Sequence, residues 1–278
     1  MYLITGATGH VGGQLVEQLL AQGKKVRAFT RDKAKAARWG DRVEVAVGDF
    51  SRPETVAQAA EDVEGVFLMN GASANERFRE VALALRQAGV RRTAFLSSLA
   101  GEEFAIGRLH RHQEAALSEM GVPHVVLRPG MFMTNFYQWA GTAKSQGVVY
   151  NPMGSGRSAP IAAEDIAAVA AAVLVDGRTE AKPLELTGGE LSSAAEQAQA
   201  LAKVLGREIR CVDVPTDVAV KNMIEHGLPP AMASAAGESM EAVRDGRATF
   251  KTDTVERVLG RAPMTVEEWF RRNIRMFQ

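Results

Sequence analysis

A single cysteine, Cys211, stands in 278 residues, which excludes an internal disulfide and a cysteine-built metal cluster. Its neighbours Ile209, Val212 and Val214 predict a buried strand residue rather than a nucleophile. Excess charge is absent too, since 33 Lys and Arg stand against 33 Asp and Glu and the formal net charge is +0. No electrostatic footprint argues for nucleic acid or an anionic membrane as partner. The pairs Arg91-Arg92 and Arg271-Arg272 read as solvated faces. Long apolar runs are missing: even the alanine-rich stretch 169–175 is short and follows Glu164 and Asp165, so no membrane span is expected. A first strand starting at residue 2 leaves no room for a targeting peptide, which makes a cytoplasmic location the expectation. Disordered linkers and solenoid repeats are absent. Tyrosine is scarce, with Tyr2, Tyr137 and Tyr150 the three present.

What is there begins at once. Tyr2-Leu3-Ile4 is a short apolar run of the kind a buried strand shows, and Gly6, Gly9 and Gly12 follow it. Val11, Leu15, Val16, Leu19 and Leu20 then recur at helical spacing. Strand, glycine turn and helix in that order make a phosphate cradle: glycines let the backbone come close to a ligand, and the helix start offers unpaired N–H groups and partial positive charge. The spacing is Gly-x-x-Gly-x-x-Gly, and no Gly-Lys-Ser or Gly-Lys-Thr closes it as a nucleoside-triphosphate loop would require. Thr8, His10 and Val11 fill the turn and join the three glycines as candidate cofactor contacts.

The second strand, 25–30, ends where an NAD-specific protein places Asp or Glu on the ribose diol. Here Thr30 and Arg31 occupy that place, with Lys35 one helical turn further on. A carboxylate repels a 2′-phosphate, whereas a guanidinium holds one with paired hydrogen bonds. The reading is NADP(H).

Strand patterns at 43–47, 66–69, 93–97 and 124–127 alternate with helical patterns at 53–60, 76–88 and 109–120. Such alternation predicts an α/β fold, a Rossmann-type doubly wound parallel sheet, here with a small helical C-terminal lobe. Ligands of such sheets sit beyond the strand carboxyl ends. That singles out Asp49-Phe50, Met69-Asn70-Gly71, Ser97-Ser98 and Arg128-Pro129-Gly130. After Gly130 the pattern changes: 131–143 is a Met- and aromatic-rich helix or wall against the cofactor, with Phe132 among the contacts. Residues 151–160 form a turn region. Helices are expected at 163–175, 192–205 and 266–276, and a helical cap at 218–247. The expected division is a cofactor-binding domain over 1–150 and a C-terminal substrate or cap lobe over 151–278, with strands returning to the sheet.

Taken together, Thr5-Gly6-Ala7-Thr8-Gly9-His10-Val11-Gly12, Arg27-Ala28-Phe29-Thr30-Arg31, Gly48-Asp49-Phe50, Leu127 to Phe136 and Ala163-Glu164-Asp165-Ile166-Ala167 resemble the NmrA-like branch of the short-chain dehydrogenase/reductase superfamily. The stretch Thr252 to Glu256 with Gly260-Arg261-Ala262-Pro263 is similar to that branch as well. The resemblance implies NADP(H) binding, Asp49 near the adenine, and a cleft between sheet and C-terminal lobe. It also implies either a reductase of quinones or triphenylmethane dyes or a cofactor sensor without catalysis.

One departure matters. The superfamily's Tyr-x-x-x-Lys pair is missing, because Gly141 and Gly154 stand four residues after Tyr137 and Tyr150. In the corresponding helix His110 and Glu114 share a face at that spacing. His110 with a carboxylate neighbour is the candidate proton donor, and a solvated His–Glu pair is the plain alternative. Ser97 and Ser98 are candidate donors to a substrate carbonyl. His110 and His112, two apart, point to opposite sides and make no metal pair. The expected function is hydride delivery to a quinone, conjugated carbonyl or dye-like small molecule. The alternative is an NADP(H)-sensing regulator that docks a partner, and a homodimer suits either.

Overall fold

A computed structural model of the chain describes residues 1–69, 77–178, 180 and 182–278. Its main sheet takes β1 (Tyr2–Ile4), β2 (Val26–Thr30), β3 (Glu44–Val47), β4 (Gly65–Leu68), β5 (Arg92–Leu96) and β6 (His124–Pro129) in the order β3-β2-β1-β4-β5-β6. All these neighbours run parallel. The order reverses between β1 and β4, so the crevice above that point is the expected ligand position. Strands β1 and β4 are buried along their whole length, as strands covered on both faces must be.

Three helices cover one face: α2 (Pro53–Ala59), α3 (Phe78–Gln87) and α4 (Ala105–Glu119), which bury Val56, Val81, Leu85 and Leu117 against it. The other face holds α1 (His10–Ala21), whose Leu15, Val16 and Leu19 pack with Ile166, Ala170 and Val173. Helix α4 starts four residues before the 109–120 pattern because Gly107 lets it begin against the loop after β5: a Cβ there would lie 1.9 Å from Gly101 O.

Beyond Pro129 the chain builds a second layer. A 3₁₀ segment, Met133–Trp139, leads into α5 (Ala140–Gln146) and then into β7 (Val148–Asn151). After the short β8 (Arg157–Ser158), helix α6 (Ala163–Val175) packs under the sheet and β9 (Leu184–Leu186) joins it beside β6. The sheet core therefore uses residues on both sides of position 150. Two residues at Ser192–Ser193 (β10) pair with β8, and Ser193 caps α7 (Ala194–Leu205) in a reciprocal box with Glu196. The 192–205 helix pattern thus begins two residues late. Strand β11 (Arg210–Asp213) pairs with β7 and carries Cys211, which is half-buried rather than buried, with burial and Asp213 raising its thiol pKa. The expected cap is the helical hairpin of α8 (Thr216–Glu225) and α9 (Pro230–Arg244). Two short helices, α10 (Thr254–Leu259) and α11 (Val266–Arg272), end the chain with a 3₁₀ turn at Ile274–Met276.

In this lobe a cluster of aromatic rings forms the core. Phe136 lies 4.8 Å from Trp139, 5.0 Å from Phe270 and 5.7 Å from Trp269, ring centre to centre. Asp165, fully buried at the start of α6, accepts from Met264 N at 2.7 Å and pairs with Arg261 Nη2 at 2.7 Å. That gives the Ala163–Ala167 and Gly260–Pro263 motifs one shared task, holding the end of the chain to the sheet. Among the described residues no helix is long and apolar enough to cross a membrane, and no group of three His, Cys, Asp or Glu is placed to hold a metal.

Candidate functional site

The glycine turn is a backbone device. Gly6 sits at φ +58°, and a Cβ on it would lie 2.4 Å from Met69 Cε, so Met69 covers the turn closely. Thr5 locks β1 to β4: its hydroxyl donates to Phe67 O at 2.9 Å and accepts from Met69 N at 2.7 Å. At Gly12 a Cβ would lie 2.3 Å from Gly6 O, so helix and turn touch backbone to backbone. Gly9 is different: it is exposed, caps α1 without a side chain, and a Cβ there would stand 3.2 Å from Gly6 O. Helix α1 has no acidic residue in its first turn and no side-chain cap, so its leading N–H groups face an open position. A close backbone cradle with uncapped donors fits a pyrophosphate. Thr8 is half-buried in the turn and Val11 is buried behind it. His10 is exposed, and its ring lies 5.8 Å from that of Tyr137.

Towards β2 and β3 the surroundings suit a phosphorylated ribose. Thr30 is buried and accepts from Asp32 N at 3.2 Å, while Asp32 is itself occupied in capping Ala34 N at 2.9 Å. Arg31 and Lys35 are exposed. Asp49 accepts from Ser51 N at 2.8 Å, which with the charges of Arg31 and Arg52 holds its carboxyl below the ordinary value. Phe50 sets its ring 5.7 Å from Phe29. Sequence reasoning missed Arg38. Its guanidinium lies over Trp39, 4.1 Å from the ring centre, and is so close to Gly13 that a Cβ there would meet Nη2 at 2.5 Å. The basic run Arg31, Lys33, Lys35, Arg38 was the available signal, but only the fold brings its last member beside α1.

Beyond the ends of β5 and β6 lies a cavity of about 540 Å³, walled by 98–101, by 129–132, by Trp139, Met153 and Ser158, and by Met240, Arg247 and Phe250 from the cap. Ser98, Pro129 and Phe132, expected at the cofactor, line it. Asn70 and Gly71 lie outside the described residues.

The proposed acid cluster is built otherwise than expected. Glu114 is buried and faces arginines, not His110: Arg128 grips it with Nε at 3.1 Å and Nη2 at 2.5 Å, and Arg111 Nη1 pairs with Oε1. Ser97 is buried and donates to Glu114 Oε1 at 2.5 Å, so its proton is not offered to a substrate. Burial alone would raise the Glu114 pKa. Hydrogen bonds from Arg128 and Ser97, and the charges of Arg111 and Arg128, outweigh it and hold the carboxyl below its ordinary range. His110 donates from Nδ1 to Ile106 O at 2.9 Å, which leaves Nε2 without a proton in the neutral ring. Burial, aided by Arg111, lowers its pKa and keeps it neutral. Its ring packs 6.4 Å from Phe95, and Ile106, one turn earlier, takes the place on the cavity wall. A half-buried neutral ring with its one N–H committed to the backbone is a poor acid, which corrects the expectation for His110 with Glu114. Ser98 has the free proton: its Oγ accepts from Ala100 N at 3.1 Å and can still donate into the cavity.

A family model described as NAD(P)H-binding matches residues 6–177, more than half of the chain. The chain belongs to the NAD(P)H-binding family. Its NmrA-like, atypical short-chain dehydrogenase/reductase character follows from the same likenesses. A (4-alkanoyl-5-oxo-2,5-dihydrofuran-3-yl)methyl phosphate reductase of Streptomyces griseus is 33% identical over 97% of this chain and 96% of its own length. An NAD(P)H azoreductase of Xenophilus azovorans is 30% identical over 97% of this chain and 96% of that one. The solved NADPH-dependent quinone oxidoreductase of Escherichia coli in complex with NADPH superimposes with a TM-score of 0.87 at 25% identity, covering 99% of this chain and 100% of that one.

Proposed function

We propose that this protein is an NADPH-dependent reductase that delivers hydride to a quinone, conjugated carbonyl or dye-like acceptor. The observation that carries the reading is the cavity beyond β5 and β6, two strand spacings, about 10 Å, along the sheet from the glycine turn. A dinucleotide with its pyrophosphate on α1 and its adenosine towards Thr30, Arg31, Lys35, Arg38 and Asp49 has its other end directed at that cavity. Gly6, Thr8, Gly9, His10, Val11 and Gly12 would hold the pyrophosphate, and Met69, Ser98, Pro129 and Phe132 would flank the nicotinamide. When bound, the cofactor supplies the hydride.

The chain's own part is to orient and to shield. Met131, Phe132, Trp139, Met153, Met240 and Phe250 supply an apolar surface for a planar acceptor and keep water from it. Ser98 donates its hydroxyl proton in a hydrogen bond to the acceptor's oxygen as negative charge gathers there, and solvent supplies the proton finally transferred. Quinones and enones need little more, which accounts for the missing Tyr–Lys pair. The relatives' printed activities, on a butenolide phosphate, azo compounds and quinones, support a conjugated acceptor.

The test mixes purified protein and NADPH with a naphthoquinone, an enone and an azo dye and follows the nicotinamide absorbance. Rapid loss with at least one acceptor is expected. No oxidation by any acceptor, together with unequal affinities for oxidised and reduced cofactor, would replace this reading with that of a regulator.

A further inference from the structure

Arg128 satisfies Glu114 by itself. Its Nε and Nη2 meet the two carboxylate oxygens in the paired geometry that a guanidinium and a carboxylate prefer. Arg111 is therefore a second largely buried cation that charge neutrality does not require, and burying it is costly. Its donors show where it is directed. Nη2 donates to Ser98 O at 2.7 Å and to Ala100 O at 3.2 Å, and Nη1 also reaches Ser97 Oγ at 3.2 Å. Residues 98–101 form a continuous piece of the cavity wall. The same loop is held from the other side by the start of α4, where only a glycine fits at 107. Two arginines against one glutamate leave one net positive charge in this cluster beneath Ser98; Glu103, the carboxylate against Gly101 at the far end of the wall, pairs with neither arginine.

We propose that Arg111 is a positioning residue of the acceptor site: it fixes the 98–101 wall and sets a positive charge beneath Ser98, whose hydroxyl meets the acceptor's oxygen. The proposal rests on the reading of this cavity as the acceptor site. In the reaction NADPH is oxidised, its hydride forms the new bond to the acceptor, the displaced electron pair moves onto the acceptor's oxygen, and solvent supplies the proton. The fixed charge counts for most when that oxygen bears localised charge, as in an enone. It counts for least in a quinone, whose product anion is already delocalised.

The experiment compares Arg111→Met and Arg111→Lys with Arg79→Met, which removes an exposed ion pair to Glu119 on α4. Arg111→Met should lower kcat for an enone by about a hundredfold and for a naphthoquinone by about fivefold, with KM for NADPH held within about twofold. Arg111→Lys, which restores the charge but not the fork, should recover most of the enone-to-quinone ratio. Equal losses on both acceptors with no recovery by lysine, or no loss at all, would overturn the proposal. Should Arg111→Met not fold, Arg111→Lys decides alone: a raised acceptor KM with the ratio kept supports it, and wild-type KM overturns it. Should the wild type reduce nothing, the reductase reading fails, and binding of a naphthohydroquinone, followed by quenching of Trp139 in the cavity wall, decides instead. Weakening of about fivefold in Arg111→Met, with Arg79→Met unchanged, keeps the positioning role; unchanged binding ends it.

Discussion

Residues 5–13 make the glycine turn, the proposed pyrophosphate end of the site, in one uninterrupted stretch, whereas the proposed acceptor cavity takes its walls from segments scattered between Ser98 and Phe250. The first works through backbone: a positive φ at Gly6, a backbone contact at Gly12, uncapped N–H groups on α1. The second works through side chains, and it is stiffened from below by a buried carboxylate between two arginines. One end leaves no room for an added atom at Gly6 or Gly12; the other depends on one carboxylate held by two arginines.

That contrast is broken most severely at Glu114. Replacement by alanine leaves two partly buried guanidinium groups without their anion, at a cost of up to about 3 kcal/mol, the low end of the range for a buried ion pair. Thermal denaturation should show it as a large fall in Tm, and a fall no greater than an exposed pair gives would mean the network is solvated. Acid offers a second measure. Because the folded-state pKa of Glu114 lies below its unfolded value, its stabilisation is full above the unfolded value and is lost as pH falls through the folded one. Glu114→Gln should flatten that acid limb.

At the backbone end the two glycines should separate. Gly12→Ala places a methyl group against Gly6 O and should cost about 1–3 kcal/mol of stability before any ligand is considered. Gly9→Ala meets only a 3.2 Å contact, so it should keep nearly the wild-type Tm while losing NADPH affinity through the cradle it fills. Equal loss of stability at both positions would show that Gly9 is also a packing glycine.

How much of this was legible in the sequence follows the same division. The glycine turn, α1, the parallel sheet and the cap helices were all visible, because local periodicity and local backbone needs encode them. The helix 163–175 was placed to the residue, since its small apolar residues and acidic first turn are unambiguous. Strand β7 was missed, because Val148–Asn151 owes its conformation to β11, more than fifty residues away. The Ser97–Glu114–Arg111–Arg128 network was half seen. Spacing of four predicted a shared helix face for His110 and Glu114, but it could not report that β6 brings Arg128 to the carboxylate first. Arg38 was invisible for the same reason: its role comes from where the 3₁₀ segment Lys33–Arg42 lies, not from its neighbours in sequence.

Cofactor choice should give an effect at the lower end of that expected for Gly12→Ala. Arg31→Ala removes one exposed cation while Lys35 and Arg38 remain, so the preference for NADPH over NADH should fall by about tenfold, or about 1.4 kcal/mol. Fluorescence titration of both cofactors reads it. An unchanged ratio would hand the 2′-phosphate to Arg38, whose own substitution would then show the loss.

The smallest effect belongs to His110, where the two ends of the site are most easily confused. By position it stands where the superfamily keeps its acid; by surroundings it is a half-buried helix residue. Its Nδ1 is spent on Ile106 O, its ring lies against Phe95, and burial with the Arg111 charge keeps it neutral. His110→Phe should therefore change kcat for quinone or enone by less than about threefold, far from the hundredfold or more expected for loss of a working acid. The mutation should act on stability instead, and the sign is fixed. With its folded-state pKa depressed, the wild-type imidazole resists protonation in the native protein, so stability is full above the unfolded value and declines as pH falls below it. The phenylalanine variant lacks that decline. Urea titrations at neutral and mildly acidic pH should find the variant's disadvantage, if any, shrinking towards acid, while a loss of turnover of about a hundredfold at neutral pH would restore His110 as the proton donor.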